Sequence, residues 1–239
     1  MRTHRFYTDI PLSEKISVEL PSDAAHHCAQ VLRYKVGDNL TVFNGDGFDY
    51  FSEIESIAKK NCRIKILNKK NPNNESGLEI HLLQAIARGD KMDFIFQKAV
   101  ELGVTEMTPV STERSNVKLD KKRLEKKMSH WNKTIISACE QSGRAIIPKL
   151  NLLINIEEVQ ISEIQSIYLE PNSKKYFTYI SDSSSIRLLI GPEGGLSEKD
   201  IKQLELKSFV GIKMGPRILR TETAGLSAIS ILQNLQGDL

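Results

Sequence analysis

Eleven consecutive residues, Met214-Gly215-Pro216-Arg217-Ile218-Leu219-Arg220-Thr221-Glu222-Thr223-Ala224, bring together two arginines, a carboxylate and two hydroxyls. Guanidinium groups stabilise anions, either a phosphate or a charge that develops during reaction. A carboxylate beside them can serve as a general base or can simply pair with its neighbour. Part of the cluster has a plainer reading, in which Thr221 or Thr223 caps a helix and Arg217 and Arg220 lie at the surface. That reading leaves the apolar frame around Arg220 and Glu222 unexplained, because a charged pair among apolar residues must find partners. A second group, Gly191-Pro192-Glu193-Gly194-Gly195, offers backbone more than side chains, since glycine lets the main chain approach a ligand that a Cβ would exclude.

Both groups follow apolar runs that stop abruptly, Leu188-Leu189-Ile190 before Gly191-Pro192 and Phe209 to Met214 before Gly215-Pro216. A residue preceding proline is pushed into extended geometry, so each run reads as a strand closed by a loop. Helix signals come next: Ser197 with Asp200 forms a capping-box pattern, and Thr221 to Leu235 is apolar nearly all round, which predicts a buried helix. Strand, glycine loop and helix in tandem define a parallel α/β sheet, whose ligands bind beyond the carboxyl ends of the strands. Ile167-Tyr168-Leu169-Glu170-Pro171 is a third candidate rim. Neither GxxxxGK[ST] nor GxGxxG occurs, which argues against P-loop and Rossmann nucleotide sites.

The 239 residues are 40% hydrophobic and 26% charged, enough for one large or two modest domains. A net charge of +3 neither demands nor excludes a polyanionic partner. Cys28, Cys62 and Cys139 form no CxxC pair and no disulfide framework, so reduced thiols are expected. His4, His26, His27, His81 and His130 show no ligand spacing, and no metal site is expected. No GxSxG elbow and no Cys-His couple points to covalent hydrolysis. Residues 1 to 20 carry charges without an apolar core and no later segment approaches a membrane span, so a cytoplasmic protein with no membrane partner is expected.

Short extended runs fill the first part: Ile16 to Leu20, Leu40 to Phe43, Phe48 to Ile54, and Cys62 to Leu67, where Cys62, Ile64 and Ile66 alternate with Arg63 and Lys65. Period two means strands with one wet face, here predicting a small β-barrel over residues 1–70. Residues 71–77 read as a linker, and the period changes after it. Residues 78–239 open with an apolar strand, Leu78 to Ala87, then a helix with Met92, Ile95, Phe96 and Ala99 on one face and Gly103 as its C-terminal cap. A strand at Met107 to Val110 precedes a long helix from about Asp120, with Leu124, Met128, Trp131 and Ile135 as its stripe. Its many lysines read by default as a solvated face.

Together the glycine loops resemble the two C-terminal motifs of the SPOUT methyltransferases, in the branch of the RsmE family of 16S ribosomal RNA uridine-N3 methyltransferases. Further segments look like that family's signatures in its order: Val31-Leu32-Arg33 with Gly37-Asp38, Arg88 to Met92, Gln97 to Gly103, Glu113-Arg114-Ser115, and Ala138 to Arg144. The resemblance spans nearly the whole chain.

It implies a PUA-like β-barrel followed by a knotted α/β domain that binds S-adenosylmethionine (SAM), yields S-adenosylhomocysteine and acts as a homodimer on 16S ribosomal RNA in the small subunit. General topology rules argue against threaded chains, and this family is an exception. Carried over, Leu169, Gly191, Gly194, Gly195, Met214, Gly215, Ile218, Leu219 and Ala224 would surround the donor. Arg220 would stabilise the uridinate or a flanking phosphate. Glu222 would be the base, or alternatively a structural partner of Arg220. Arg2, Arg5, Arg33, Arg88 and Arg114 are candidate RNA contacts. The competing expectation is a non-catalytic RNA-binding or assembly module on the same fold, and a third is methylation of another RNA or of a ribose oxygen.

Overall fold

Alternating polar and apolar residues in the first part do form strands, and the glycine and asparagine turns between them set the pairing. The computed structural model describes residues 4–115 and 120–239. Two units result: one comprises Met1–Glu75 with Cys139–Ile147, the other Ser76–Ala138 with Pro148–Leu239.

In the first unit, β1 (Arg5–Tyr7), β2 (Ser17–Glu19), helix α1 (Ser22–His26), β3 (Asn39–Phe43), β4 (Asp49–Ile57) and β5 (Cys62–Lys70) build a five-stranded sheet of order β1-β3-β4-β5-β2. Register shifts between β4 and β5 fall at Phe51/Ser52 and at Ile54/Ser56. Such bulges bend and twist a ladder. Phe6, Leu40, Val42, Tyr50, Ile54, Cys62, Ile64 and Ile66 accordingly meet in one core with Ala25 and Cys28. The alternation seen at Cys62, Ile64 and Ile66 thus marks the buried face of β5.

Residues 139–147 return to this unit from the far side of the sequence, which no linker signal announced. Arg144 is buried and grips Glu75 through Nε at 3.1 Å. Arg5 belongs to the same interior: Nη2 meets Asp49 Oδ1 at 2.5 Å, Nη1 donates to the Cys139 carbonyl at 2.7 Å, and the guanidinium lies over the Phe43 ring.

The second unit contains β6 (Glu79–Ala85), α2 (Lys91–Glu101), β7 (Glu106–Ser111), most of α3 (Lys121–Ser142), β8 (Lys149–Leu150), β9 (Ile154–Asn155), β10 (Gln165–Leu169), β11 (Ser185–Ile190), α4 (Glu198–Leu206), β12 (Phe209–Ile212) and α5 (Thr221–Gln236). Its sheet runs β12-β10-β11-β6-β7-β8, with β9 also on β7, and every pairing is parallel. Strands β6 and β11 lie centrally and are almost wholly buried, as their unbroken apolar runs require of strands covered on both faces. Gly103 takes φ +82 just beyond α2, and its N–H and that of Val104 close the last turn on Val100 and Ala99.

Helix α5 departs from the expectation of burial on every side. Gly225, Ala228, Ile229 and Leu232 are buried, but Leu226 and Ile231 are only half-buried and Leu235 is 53% exposed. One apolar flank is left uncovered within a single chain.

Candidate active site

From edge strand β12 the chain turns back toward the middle of the sheet, where α5 packs on α2 and β11. Three loops therefore converge beyond the carboxyl ends of β10, β11 and β12. They enclose a cavity of about 470 Å³, within the range of small-ligand sites. Its wall includes Leu169, Gly191, Gly195, Met214, Gly215, Ile218, Leu219 and Ala224, together with Arg220. Gly195 and Gly215 adopt φ +68 and +69, with nothing within 4 Å of a built Cβ. Glycine is used there for left-handed backbone, not for clearance.

The capping box after Gly195 forms as its sequence pattern predicts. Asp200 N–H donates to Ser197 Oγ at 3.1 Å and Ser197 N–H donates to Asp200 Oδ2 at 3.0 Å. This fixes the start of α4 and the exit of the loop. Thr221, the first residue of α5, is buried and hydrogen-bonds the Gly191 carbonyl. Arg220 precedes it as the helix's capping position, with extended backbone and an exposed side chain at the cavity.

Gly194, expected at the donor, does not line the cavity; its carbonyl accepts from Arg114 Nη1 at 3.0 Å. Arg114 also reaches the Leu196 carbonyl at 3.3 Å, so it braces this loop while remaining exposed. Glu222 is set back from the cavity wall, and its ion-pair partner is Lys91 at 3.5 Å, not Arg220. The structural pairing with Arg220 is thereby corrected: no ion pair joins them among the described residues. Glu222 Oε2 is shielded from solvent and accepts no hydrogen bond within the protein.

Two lining residues, Lys91 and Glu193, carry charge that spacing alone did not single out. Lys91 Nζ and the Arg88 N–H both donate to Glu193 Oε1 at 3.0 Å. Burial works against ionisation of Glu193, but these two donors outweigh it and hold its carboxyl below the ordinary range. The same hydrogen bond raises the Lys91 ammonium above its usual value, with Glu222 adding to the effect. Both residues stood inside motifs already noted, Arg88 to Met92 and Gly191 to Gly195, yet only the fold brings them together.

Among the expected RNA contacts, Arg33 and Arg88 are exposed. Arg33 has φ +55, a left-handed backbone rare outside glycine. Arg5 is a correction, since its guanidinium is engaged inside the first unit and is not available to a phosphate. Arg2 lies outside the described residues.

A parallel sheet with a glycine-framed cavity at its carboxyl edge, and with arginine at the cavity mouth, is the layout of an α/β group-transfer domain that takes a small cofactor. Residues 74–233 match the family profile described as an RNA methyltransferase domain, and residues 20–67 match the RNA methyltransferase PUA domain. The chain belongs to the ribosomal RNA small subunit methyltransferase E family. It is 37% identical to the protein of that name from Buchnera aphidicola subsp. Schizaphis graminum, covering 100% of this chain and 98% of the relative. Among solved structures, the Neisseria gonorrhoeae ribosomal RNA small subunit methyltransferase E bound to S-adenosyl methionine is 38% identical, with TM-score 0.93 and full coverage of both chains. A Legionella pneumophila protein described as a methyltransferase, in complex with SAM, is 39% identical with TM-score 0.95 over 100% of both chains.

Proposed function

We propose that the chain transfers the methyl group of SAM to N3 of a uridine in 16S ribosomal RNA of the small subunit, in the cytoplasm and as a homodimer. The observation that carries this reading is the cavity beyond β10, β11 and β12, walled mostly by glycine backbone and apolar side chains, with Arg220 among the charged groups that line it. Bound there, SAM would supply an electrophilic methyl on a sulfonium. The residues that would hold it are Leu169, Gly191, Gly195, Met214, Gly215, Ile218, Leu219 and Ala224, with Gly194 supporting the loop.

In-line displacement asks the protein chiefly to align its reactants and to exclude water. Uridine N3 carries a proton near neutral pH and must lose it before attacking the methyl carbon. Glu222 would accept that proton. Arg220 would stabilise the negative charge the base acquires, or a phosphate flanking it. As the N3–methyl bond forms, the carbon–sulfur bond breaks and its electron pair leaves with the thioether. N3 lies on the Watson-Crick edge, so the uridine must be unpaired or extruded. Arg33, Arg88 and Arg114 are the proposed RNA contacts. The half-exposed apolar flank of α5 supports the homodimer.

Calorimetric titration with SAM and with S-adenosylhomocysteine tests the reading. Saturable binding near one donor per chain, or one per two chains in an asymmetric dimer, is expected. Folded protein that binds neither, with or without RNA, would favour a non-catalytic RNA-binding module.

A further inference from the structure

Lys91 stands where two elements of the site meet. Its ammonium hydrogen-bonds Glu193 Oε1 at 3.0 Å on the loop after β11 and faces Glu222 Oε2 at 3.5 Å on the first turn of α5. The contact with Glu193 is a hydrogen bond, and the contact with Glu222 is a longer ion pair. Glu222 thus receives charge compensation from Lys91 at Oε2, which is shut off from solvent, while the side chain as a whole stays 17% exposed. A buried acceptor left in that state calls for an explanation. Held through that oxygen, the carboxylate has its other oxygen left to accept a substrate proton.

We infer that Lys91 is a positioning residue for methyl transfer: anchored by Glu193, it holds the Glu222 carboxylate beside the donor cavity through the buried Oε2 and leaves the other oxygen to accept from an N–H on the target base. The inference rests on the reading proposed above and adds the device that prepares the base. The anchor is itself fixed, because the Arg88 N–H donates to the same Glu193 oxygen and Gly89, at φ +63, turns the chain between Arg88 and α2. Lys91 is 31% exposed at its side chain, so it can adjust as the acceptor arrives. Glu193 and Glu222 lie 29 positions apart, and Lys91 is 102 positions before the first and 131 before the second. The arrangement is a product of the fold, not of local sequence.

The test is single-turnover and steady-state methyl transfer by the full chain, using small-subunit RNA or subunits that the wild type methylates. Lys91→Met is expected to lower the transfer rate and kcat by roughly 30-fold or more, a fraction of the roughly 100-fold or greater contribution of a general base itself, while KM for SAM and the melting temperature stay near wild type. Lys91→Arg, which keeps the cation, should recover most of the rate. Because Lys91 acts through Glu222, the Lys91→Met/Glu222→Gln double variant should be no slower than Glu222→Gln alone. A Lys91→Met rate within about threefold of wild type, fully multiplicative losses in the double variant, or a defect confined to KM for SAM would each overturn the inference. Absence of transfer by the wild type would instead refute the methyltransferase reading itself.

Discussion

Thr221 Oγ1 donates a 2.7 Å hydrogen bond to the carbonyl oxygen of Gly191, and Gln84 Nε2 donates to the same hydroxyl at 3.2 Å. A single buried threonine thereby ties the start of α5 to the glycine loop of β11 and to the end of β6. Thr221→Val keeps the shape and removes the donor. It should cost about 1–2 kcal/mol in denaturant unfolding, the scale of one buried hydrogen bond with its acceptor left unpaired. SAM affinity should fall severalfold, and unchanged stability and affinity would show that the tie does not organise the cavity.

Glycine at 215 is required by conformation. A Cβ there meets open space, but the backbone sits at φ +69, which costs an L-residue about 1–2 kcal/mol. Relaxing that strain displaces a cavity wall, so Gly215→Ala should weaken SAM binding by roughly tenfold. Gly191→Ala acts differently, because its Cβ would lie 3.2 Å from Leu196 Cγ and press a cavity-lining side chain. Gly77 has neither restriction, and Gly77→Ala should bind SAM like the wild type. Calorimetry on the three variants separates these cases.

Arg220 touches the cavity from an exposed position at the cap of α5. Arg220→Ala should leave SAM affinity within about threefold of wild type and reduce transfer by roughly a hundredfold or more, the scale of removing one stabiliser of developing charge. Equal turnover in a single-turnover assay would remove Arg220 from the mechanism.

On central strand β6, His81 sits between Thr108, at 2.7 Å from Nε2, and Glu106, at 3.8 Å from Nδ1, both on β7. Burial lowers its pKa below the ordinary 6.5, with Arg187 and Lys149 acting in the same direction and Glu106 against them. The unfolded chain therefore binds the proton first as pH falls. Stability is full above about pH 6.5, declines as pH drops toward the folded pKa, and levels off below it. His81→Gln should flatten the part of this decline between pH 7.5 and 5.5 in urea unfolding. An identical decline in the variant would place the titrating group elsewhere.

Periodicity and punctuation made the sheet elements legible: the alternation of Cys62, Ile64 and Ile66, the apolar run ending at Ile190, and the Ser197–Asp200 capping box each encode geometry locally. The cavity wall was readable for the same reason, since most of it is glycine and apolar residues at strand ends. What escaped was carried by distance in the chain. Lys91 meets Glu222 only because α2 and α5 pack together, and Arg5 meets Cys139 and Arg144 only because the end of α3 returns to the first unit. An arginine near a terminus has the same sequence signature whether it faces phosphate or a buried carboxylate. The half-open flank of α5 was hidden too, because composition reports how apolar a helix is and not how much of it one chain covers.

The central claim is tested most directly by incubating the protein with methyl-labelled SAM and small ribosomal subunits or 16S RNA lacking the modification, then mapping the product nucleotide by mass spectrometry. One methyl group on N3 of a single uridine is the predicted result. Label on a ribose oxygen or another base, or no transfer by protein that binds SAM, would contradict it.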